Sequence, residues 1–148
     1  MKRSVLIVCG NSSLKNLVRA NLEARGYDTL LAVESLEAIR IVESESPDLV
    51  IIDGALSDGN GMELCRRIRS TQGVLVIMLA NLDYEENVVE AFEAGADDVI
   101  PEPFSLQELI ARVKALLRRK DMHETNPSPQ PGFGRGKLVI DFAERRES

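Results

Sequence analysis

The 148-residue sequence has no tryptophan, only one histidine, two cysteines and 4% aromatic residues. So few thiols do not form a disulfide framework, and Cys9 and Cys65 lack the spacing of metal ligands. We therefore expect two reduced thiols and neither a metal site nor a cofactor.

Long apolar runs and an excess of positive charge are absent as well. No run approaches the roughly 18 apolar residues of a membrane span, and the apolar segment after "MKRS" is too short for a signal-peptide core. The formal net charge of -6 argues against a nucleic-acid-binding surface over the chain as a whole. We expect a cytoplasmic protein without membrane contact, in which any DNA contact is made by another domain.

The residues that are present have the composition of a globular domain, with 44% hydrophobic and 28% charged residues. Five segments have the β-branched, apolar character of buried strands: residues 4–8, 28–33, 48–52, 74–79 and 98–100. Segments with helical spacing of apolar residues alternate with them, and a capping box formed by Ser105 and Glu108 begins the last helix. This alternation predicts a doubly wound α/β fold with a five-stranded parallel sheet and five helices.

In such a sheet the functional site lies at the carboxyl ends of the strands, where the strand order reverses. Four of the predicted strands have small or acidic residues at that end. They are Cys9, Gly10 and Asn11 after the first strand, Asp53 after the third, Ala80 and Asn81 after the fourth, and Pro101 and Glu102 after the fifth.

The sequence changes character after Lys120. Residues 121–136 are rich in Pro, Gly and Ser, which is typical of a linker. Residues 137–148, "KLVIDFAERRES", return to an alternating apolar pattern that predicts a strand. Because one strand is not stable alone, we expect a domain at 1–120, a linker at 121–136 and the start of a second domain at 137–148.

Two segments carry a resemblance to a known family. "PDLVIIDGALSDGNGMELCRRIR" resembles the region around the phosphoacceptor aspartate of response regulator receiver domains, which have the CheY-like fold. "EAGADDVIPEPFSLQELIARVKALLRR" resembles the end of the fourth helix, the fifth strand and the fifth helix of the OmpR/PhoB-type subfamily. The resemblance covers roughly Val5 to Arg119, and "GKLVIDFAERRE" is similar to the first strand of the subfamily's winged-helix DNA-binding domain.

The resemblance assigns a role to each position at the predicted site. It places the phosphoacceptor at Asp53 and the acidic pair that holds Mg²⁺ at Cys9 and Gly10. Mg²⁺ prefers hard oxygen ligands, whereas a thiol is soft and glycine has no side chain. The Thr or Ser that contacts the phosphoryl group is replaced by Ala80.

Two further positions depart from the family. The aromatic position of the fifth strand is Val99, and the lysine that binds phosphate is Glu102, an anion that repels phosphate. With Asp53 as the remaining member of the set, we interpret the domain as an atypical, degenerate receiver that acts without phosphorylation. We expect no enzymatic activity and no cognate histidine kinase.

Alternatives remain for several of these residues. Asp53 either accepts a phosphoryl group or is a remnant carboxylate, and Glu102 either binds a cation with Asp53 or faces solvent. Cys9 is either a redox sensor or a small buried apolar residue. The segment from Gly10 to Ser13 either binds a small anion at the start of a helix, as a ligand-sensing site, or Asn11 or Ser12 simply caps that helix.

The resemblance also predicts a homodimer through the fourth helix, fifth strand and fifth helix. The dimer would control the attached DNA-binding domain and thereby transcription. The apolar part of the interface falls on Val89, Phe92 and Ile110, and the charged part on Glu93, Asp97, Asp98, Arg112, Lys114 and Arg119. Val88 stands where a basic residue is usual, which removes the cross-subunit partner of Glu108. One exposed ion pair contributes only about 0–1 kcal/mol, so its loss alone does not abolish a dimer.

Overall fold

The computed structural model describes residues 2–54, 61–71, 73–81 and 85–125. The strands are β1 (Ser4–Val8), β2 (Asp28–Ala32), β3 (Leu49–Asp53), β4 (Leu75–Asn81) and β5 (Asp98–Glu102). The helices are α1 (Ser12–Ala24), α2 (Ser35–Glu45), α3 (Gly61–Arg69), α4 (Glu85–Glu93) and α5 (Leu106–Thr125). The five predicted strands are thus present, with ends that differ by at most two residues.

All strand pairs in the sheet are parallel, in the order β2-β1-β3-β4-β5. The order reverses at β1, because β2 lies on one side of β1 whereas β3, β4 and β5 follow on the other side. Val8 is paired with Ile52 in the register of β1 and β3. The residues that follow these two strands, Cys9 and Asp53, therefore lie at the same edge of the sheet.

The sheet is covered on both faces, as near-continuous apolar strands require. On one face, residues such as Leu6 and Ile52 pack with side chains of α2, α3 and α4. On the other face, residues such as Ile7 and Ile51 pack with side chains of α1 and α5. This arrangement confirms the predicted doubly wound α/β fold.

Local signals account for several helix ends. The Asn11 side chain accepts a hydrogen bond from the Leu14 backbone N–H at 3.0 Å and caps α1. Gly26 follows α1 with a φ of 92°, a conformation that glycine adopts at little cost. The Ser105 hydroxyl accepts from the Glu108 backbone N–H at 3.0 Å, so one half of the predicted capping box is formed.

The chain divides into two units, Met1–Leu117 and Arg118–Ser148. Helix α5 continues to Thr125, five residues into the segment that the sequence assigns to the linker. Residues 121–125 contain neither proline nor glycine, so nothing in them breaks the helix. The first proline after them is Pro127, and the residue before a proline disfavours the helical conformation. The rest of the predicted linker and the predicted strand at 137–148 lie outside the described residues. None of the described helices is long and apolar enough to cross a membrane.

Candidate functional site

The residues expected at the carboxyl edge of the sheet converge there. We use the name edge site for Cys9, Gly10, Asp53, Ala80 and Glu102. Asp53 is the last residue of β3, Ala80 is the penultimate residue of β4, and Glu102 is the last residue of β5. The register pairs Asp53 with Leu79, and Ala80 with Pro101, so the ends of β3, β4 and β5 are level with one another.

Cys9 and Asp53 are in direct contact. The Cys9 thiol lies 3.5 Å from Oδ2 of Asp53 and 3.7 Å from the backbone oxygen of Asn11. Cys9 is only 2% exposed, and burial raises the pKa of its thiol, as does the negative charge of Asp53. The thiol therefore remains protonated at neutral pH and acts as the donor, while the carboxylate accepts.

Glu102 adds a second carboxyl group to the site. It is half-buried, and its pKa is raised first by burial and then by the negative charge of Asp53. Two carboxylates in one partly desolvated site repel each other and also repel an incoming anion. The electrostatics of the edge site are therefore opposite to those of a phosphate-binding site with a lysine at this position.

Ala80 belongs to the edge site, and Val99 lies earlier in β5, where it is paired with Met78. Both are buried, and both belong to the core cluster on the α2, α3 and α4 face. Neither side chain has a hydrogen-bonding group. Neither side chain can therefore donate a hydrogen bond to a phosphoryl oxygen.

Close backbone packing fixes the end of β3. The Gly54 N–H donates to the Leu79 backbone oxygen at 2.8 Å. A Cβ atom at Gly54 would lie 2.7 Å from that oxygen, a distance that real Cβ contacts do not reach. Glycine at this position therefore lets β3 approach β4 directly after Asp53, which holds the carboxylate at the sheet edge.

At the start of α1, the structure shows a helix cap of the kind that the sequence allows as the alternative to an anion-binding site. The Asn11 side chain is engaged by the Leu14 N–H, which is the capping role. Sequence reasoning did not single out Lys15, whose positive charge acts on the Cys9 thiol and lowers its pKa, in opposition to burial. Lys15 lies one helical turn after Asn11, and this spacing in the sequence could have indicated that its charge lies near the start of α1.

The residues of the predicted interaction face are placed differently from one another. On α4, Val89 is 56% exposed and Phe92 is 48% exposed, whereas Ile110 on α5 is only 4% exposed and packs in the core with Leu109 and Val113. The prediction that Ile110 forms part of an exposed apolar patch therefore needs correction. The physical reason is that Ile110 lies on the core-facing stripe of α5.

The charged residues of that face also fall into two groups. Arg112 Nη1 lies 3.2 Å and 3.0 Å from the two carboxylate oxygens of Asp98, and its Nη2 lies 3.2 Å from Oε2 of Glu108. Asp97 accepts from Arg69 at 3.1 Å and from the Val76 N–H at 2.8 Å. Glu93, Lys114 and Arg119 are exposed. Arg119 belongs to the second unit of the chain.

A five-stranded doubly wound sheet in this order, with an aspartate at the end of its central strand, has the architecture of CheY-like signalling domains. The family model of the response regulator receiver domain matches residues 5–114. The chain belongs to this family, whose members act in two-component signal transduction.

Solved structures agree with this assignment. A two-component response regulator from Clostridium difficile is 31% identical, with a TM-score of 0.75 over 80% of this chain and 98% of that chain. A CheY-like receiver domain protein from Methanospirillum hungatei JF-1 is 27% identical, with a TM-score of 0.78 over 83% of this chain and 99% of that one. NtrX from Brucella abortus is 25% identical, with a TM-score of 0.77; the match covers 86% of this chain and 29% of NtrX.

The family implies a Mg²⁺ ion at this edge of the sheet, but the residues here do not fit one. Mg²⁺ requires several oxygen ligands in near-octahedral geometry. Cys9 offers a protonated sulfur, Gly10 offers no side chain, and Asp53 is in contact with the thiol. Within the described part of the chain, no group of three or more His, Cys, Asp or Glu residues is arranged to hold a metal ion.

Proposed function

We propose that this chain is an atypical receiver domain of the OmpR/PhoB type that works without phosphorylation of Asp53. It dimerises through the face formed by α4, β5 and α5 and thereby controls an attached DNA-binding domain. The alternative within the same family is a receiver that accepts a phosphoryl group on Asp53.

The observation that carries this proposal is the contact between the Cys9 thiol and Asp53 in a site that also holds Glu102. An aspartyl phosphate carries roughly 1.5 to 2 negative charges in place of the single charge of the carboxylate, and its oxygens need cations or hydrogen-bond donors. The edge site instead supplies a neutral thiol, the methyl group of Ala80 and a second carboxyl group. These groups favour a domain whose state does not depend on phosphate.

Exposed apolar side chains on α4 support the dimer. Val89 and Phe92 are three residues apart, so they lie on the same side of the helix. Each is about half exposed, and two exposed apolar side chains on one side of a helix form a small apolar patch of the kind that protein contacts use. Since Ile110 is buried, we propose that these two residues form the apolar centre of the contact.

The pattern of ion pairs indicates which charges are available to a second subunit. Asp97, Asp98 and Arg112 already have partners in their own chain. Glu93 and Lys114 have opposite charges, are exposed, and form no ion pair with any residue that the structure describes. We propose that Glu93 of one subunit pairs with Lys114 of the other.

The dimer is proposed to act on DNA through a separate domain. Residues 137–148 resemble the first strand of a winged-helix domain, and the match to NtrX covers only 29% of that longer chain. A symmetric or tandem pair of DNA-binding domains reads two half-sites at a fixed spacing. Without a phosphate switch, the domain would rest in or near its dimer-competent state.

Sedimentation velocity of the untreated protein tests the dimer. We expect a dimer at tens of micromolar protein and a shift to monomer in Phe92→Asp. Leu36→Asp is a matched control, because Leu36 is 54% exposed but lies on α2. A strictly monomeric wild-type protein, or an equal effect of both substitutions, would contradict the proposal.

Incubation with a small phosphodonor and Mg²⁺, followed by intact-mass measurement, tests the independence from phosphorylation. We expect no added phosphoryl group and no change in sedimentation. A phosphoryl adduct that appears in the wild type and disappears in Asp53→Asn would instead support the phosphoacceptor alternative.

A further inference from the structure

The edge site contains a hydrogen bond that bears on whether the site needs a divalent cation. The chain brings together a buried thiol from the end of β1 and the carboxylate at the end of β3, with 3.5 Å between Sγ and Oδ2. A carboxylate at a partly desolvated sheet edge requires a positive or hydrogen-bonding partner. In this chain the thiol is such a partner, and it is uncharged.

We propose that Cys9 is a positioning residue that takes the place of a divalent cation: its thiol holds the Asp53 carboxylate, so the edge site is stable without metal. This inference deepens the proposed independence from phosphorylation, but it does not depend on the dimer. It predicts that Mg²⁺ has no effect on the stability of the wild-type protein.

Substitutions at positions 9 and 10 could convert the edge site into a metal site. A Cβ atom at Gly10 would meet no other atom within 4 Å, and the backbone of Gly10 is outside the left-handed region. A side chain at position 10 is therefore accommodated without strain. An aspartate at position 9 would add a carboxylate beside Asp53, and the repulsion between the two would favour the binding of a cation.

Thermal unfolding of the full chain, in EDTA and in millimolar Mg²⁺, tests the inference. For the wild type we expect the same Tm in both conditions. For Cys9→Asp/Gly10→Asp we expect a lower Tm in EDTA and a rise of roughly 3–8 °C in Mg²⁺, since an ion that binds only the folded state stabilises it. Cys9→Asp alone serves as a milder variant if the double substitution prevents folding.

A matched control adds the same two charges elsewhere. Asn16→Asp/Ala20→Asp places two carboxylates one turn apart on the exposed side of α1. We expect no more than a small Mg²⁺ response from it, because exposed carboxylates keep their hydration. An equal response in both double variants would overturn the assignment of the new site to the edge of the sheet.

The hydrogen bond itself is tested by conservative replacement. Cys9→Ser keeps an O–H donor, whereas Cys9→Ala removes the donor but keeps a small side chain. We expect the Tm of Cys9→Ser in EDTA to lie closer to the wild type than that of Cys9→Ala.

Two results would overturn the inference. One is a wild-type Tm that rises with Mg²⁺ as much as that of the double variant. The other is a Cys9→Ala protein at least as stable as Cys9→Ser, because the thiol would then act only by filling space. Neither outcome depends on the oligomeric state, so failure here is separable from failure of the dimer proposal.

Discussion

Arg112 on α5 donates hydrogen bonds to the carboxylate of Asp98 at the start of β5. Its Nη1 lies 3.2 Å and 3.0 Å from the two carboxylate oxygens. The same guanidinium reaches Glu108 one turn back on α5 through Nη2. These contacts join helix and strand within one chain, in the region that we propose as the dimer face. Their energetic value and their role in association can be separated by mutation.

Arg112→Ala should lower the free energy of unfolding by about 1 kcal/mol or less. The reason is that the Arg112 side chain is partly exposed, so solvent and salt screen its ion pairs. Urea unfolding at low and high salt measures the effect, which should shrink at high salt. Arg118→Ala, at an exposed position on the same helix, is the control and should leave stability unchanged. A loss of several kcal/mol in Arg112→Ala would contradict this estimate.

Gly95→Ala should destabilise the domain by about 1–3 kcal/mol. Gly95 has a φ of 110°, and an added Cβ would clash with the side chain of Arg69. Arg69 cannot move away freely, because its Nη1 donates to the Val74 backbone oxygen at 2.6 Å and to Asp97 at 3.1 Å. Equilibrium denaturation measures the change.

The control for Gly95 is Gly10→Ala. Its Cβ would enter open space at an ordinary φ, so we expect a change within about 0.5 kcal/mol. Equal effects of the two substitutions would show that the positive φ and the Arg69 contact are not the cause.

Cys65 should make stability fall as pH rises from 9 to 11. Burial raises the pKa of its thiol from 9.0 to about 11, and Sγ donates to the Ala94 backbone oxygen at 3.6 Å. Between these pH values the unfolded thiol loses its proton while the folded thiol keeps it. The folded state then binds more protons, so the free energy of unfolding decreases, by at most roughly 1.4 kcal/mol per pH unit.

Urea unfolding of the wild type and Cys65→Ala at several pH values between 7 and 11 isolates this effect. The wild type should lose its stability advantage over the variant as pH rises. Parallel pH profiles would show that Cys65 ionises equally in both states.

Glu102→Gln should stabilise the domain at neutral pH by less than about 1 kcal/mol. Burial and Asp53 raise the pKa of Glu102 above 4.5, so ionisation of this residue is less favourable in the folded state. The protonated form of Glu102 therefore adds to the free energy of unfolding at pH values below 4.5, and this contribution is lost as pH rises through the folded pKa. The advantage of the variant should therefore disappear in acid.

Denaturation at neutral pH and below pH 4.5 measures the Glu102→Gln effect. Glu45→Gln, at the exposed end of α2, is the control for a lost surface charge. A Glu102→Gln protein that is less stable than the wild type at neutral pH would show that the carboxylate makes a favourable contact in the folded state.

Short-range patterns predicted much of this molecule. The apolar run of Ser4–Val8 defined β1 with its observed ends, because a buried parallel strand needs apolar residues on both faces. The predicted capping box is formed only in part. Ser105 caps α5 as expected, but the Glu108 carboxylate bonds to Arg112, whose charged guanidinium is the stronger partner.

Contacts between distant parts of the chain were harder to predict from the sequence. The apolar spacing of α5 includes Ile110, but spacing alone could not decide whether that residue faces the core or a partner. The packing of α5 against β1 and β3 side chains decided it, because the core-facing stripe extends as far as Ile110. The placement of Asp53 at the sheet edge followed from the fold, whereas the orientation of the Cys9 thiol toward it did not.

The sequence by itself determined the alternation of strands and helices, the parallel sheet and the set of residues at its carboxyl edge. It did so because these depend on the local periodicity of apolar residues and on the rule that parallel strands end at one edge. Only the tertiary structure decided which of those residues touch. The contact between Cys9 and Asp53, 44 positions apart, arises from the pairing of β1 with β3 and from burial that keeps the thiol protonated, and neither is a property of a local segment.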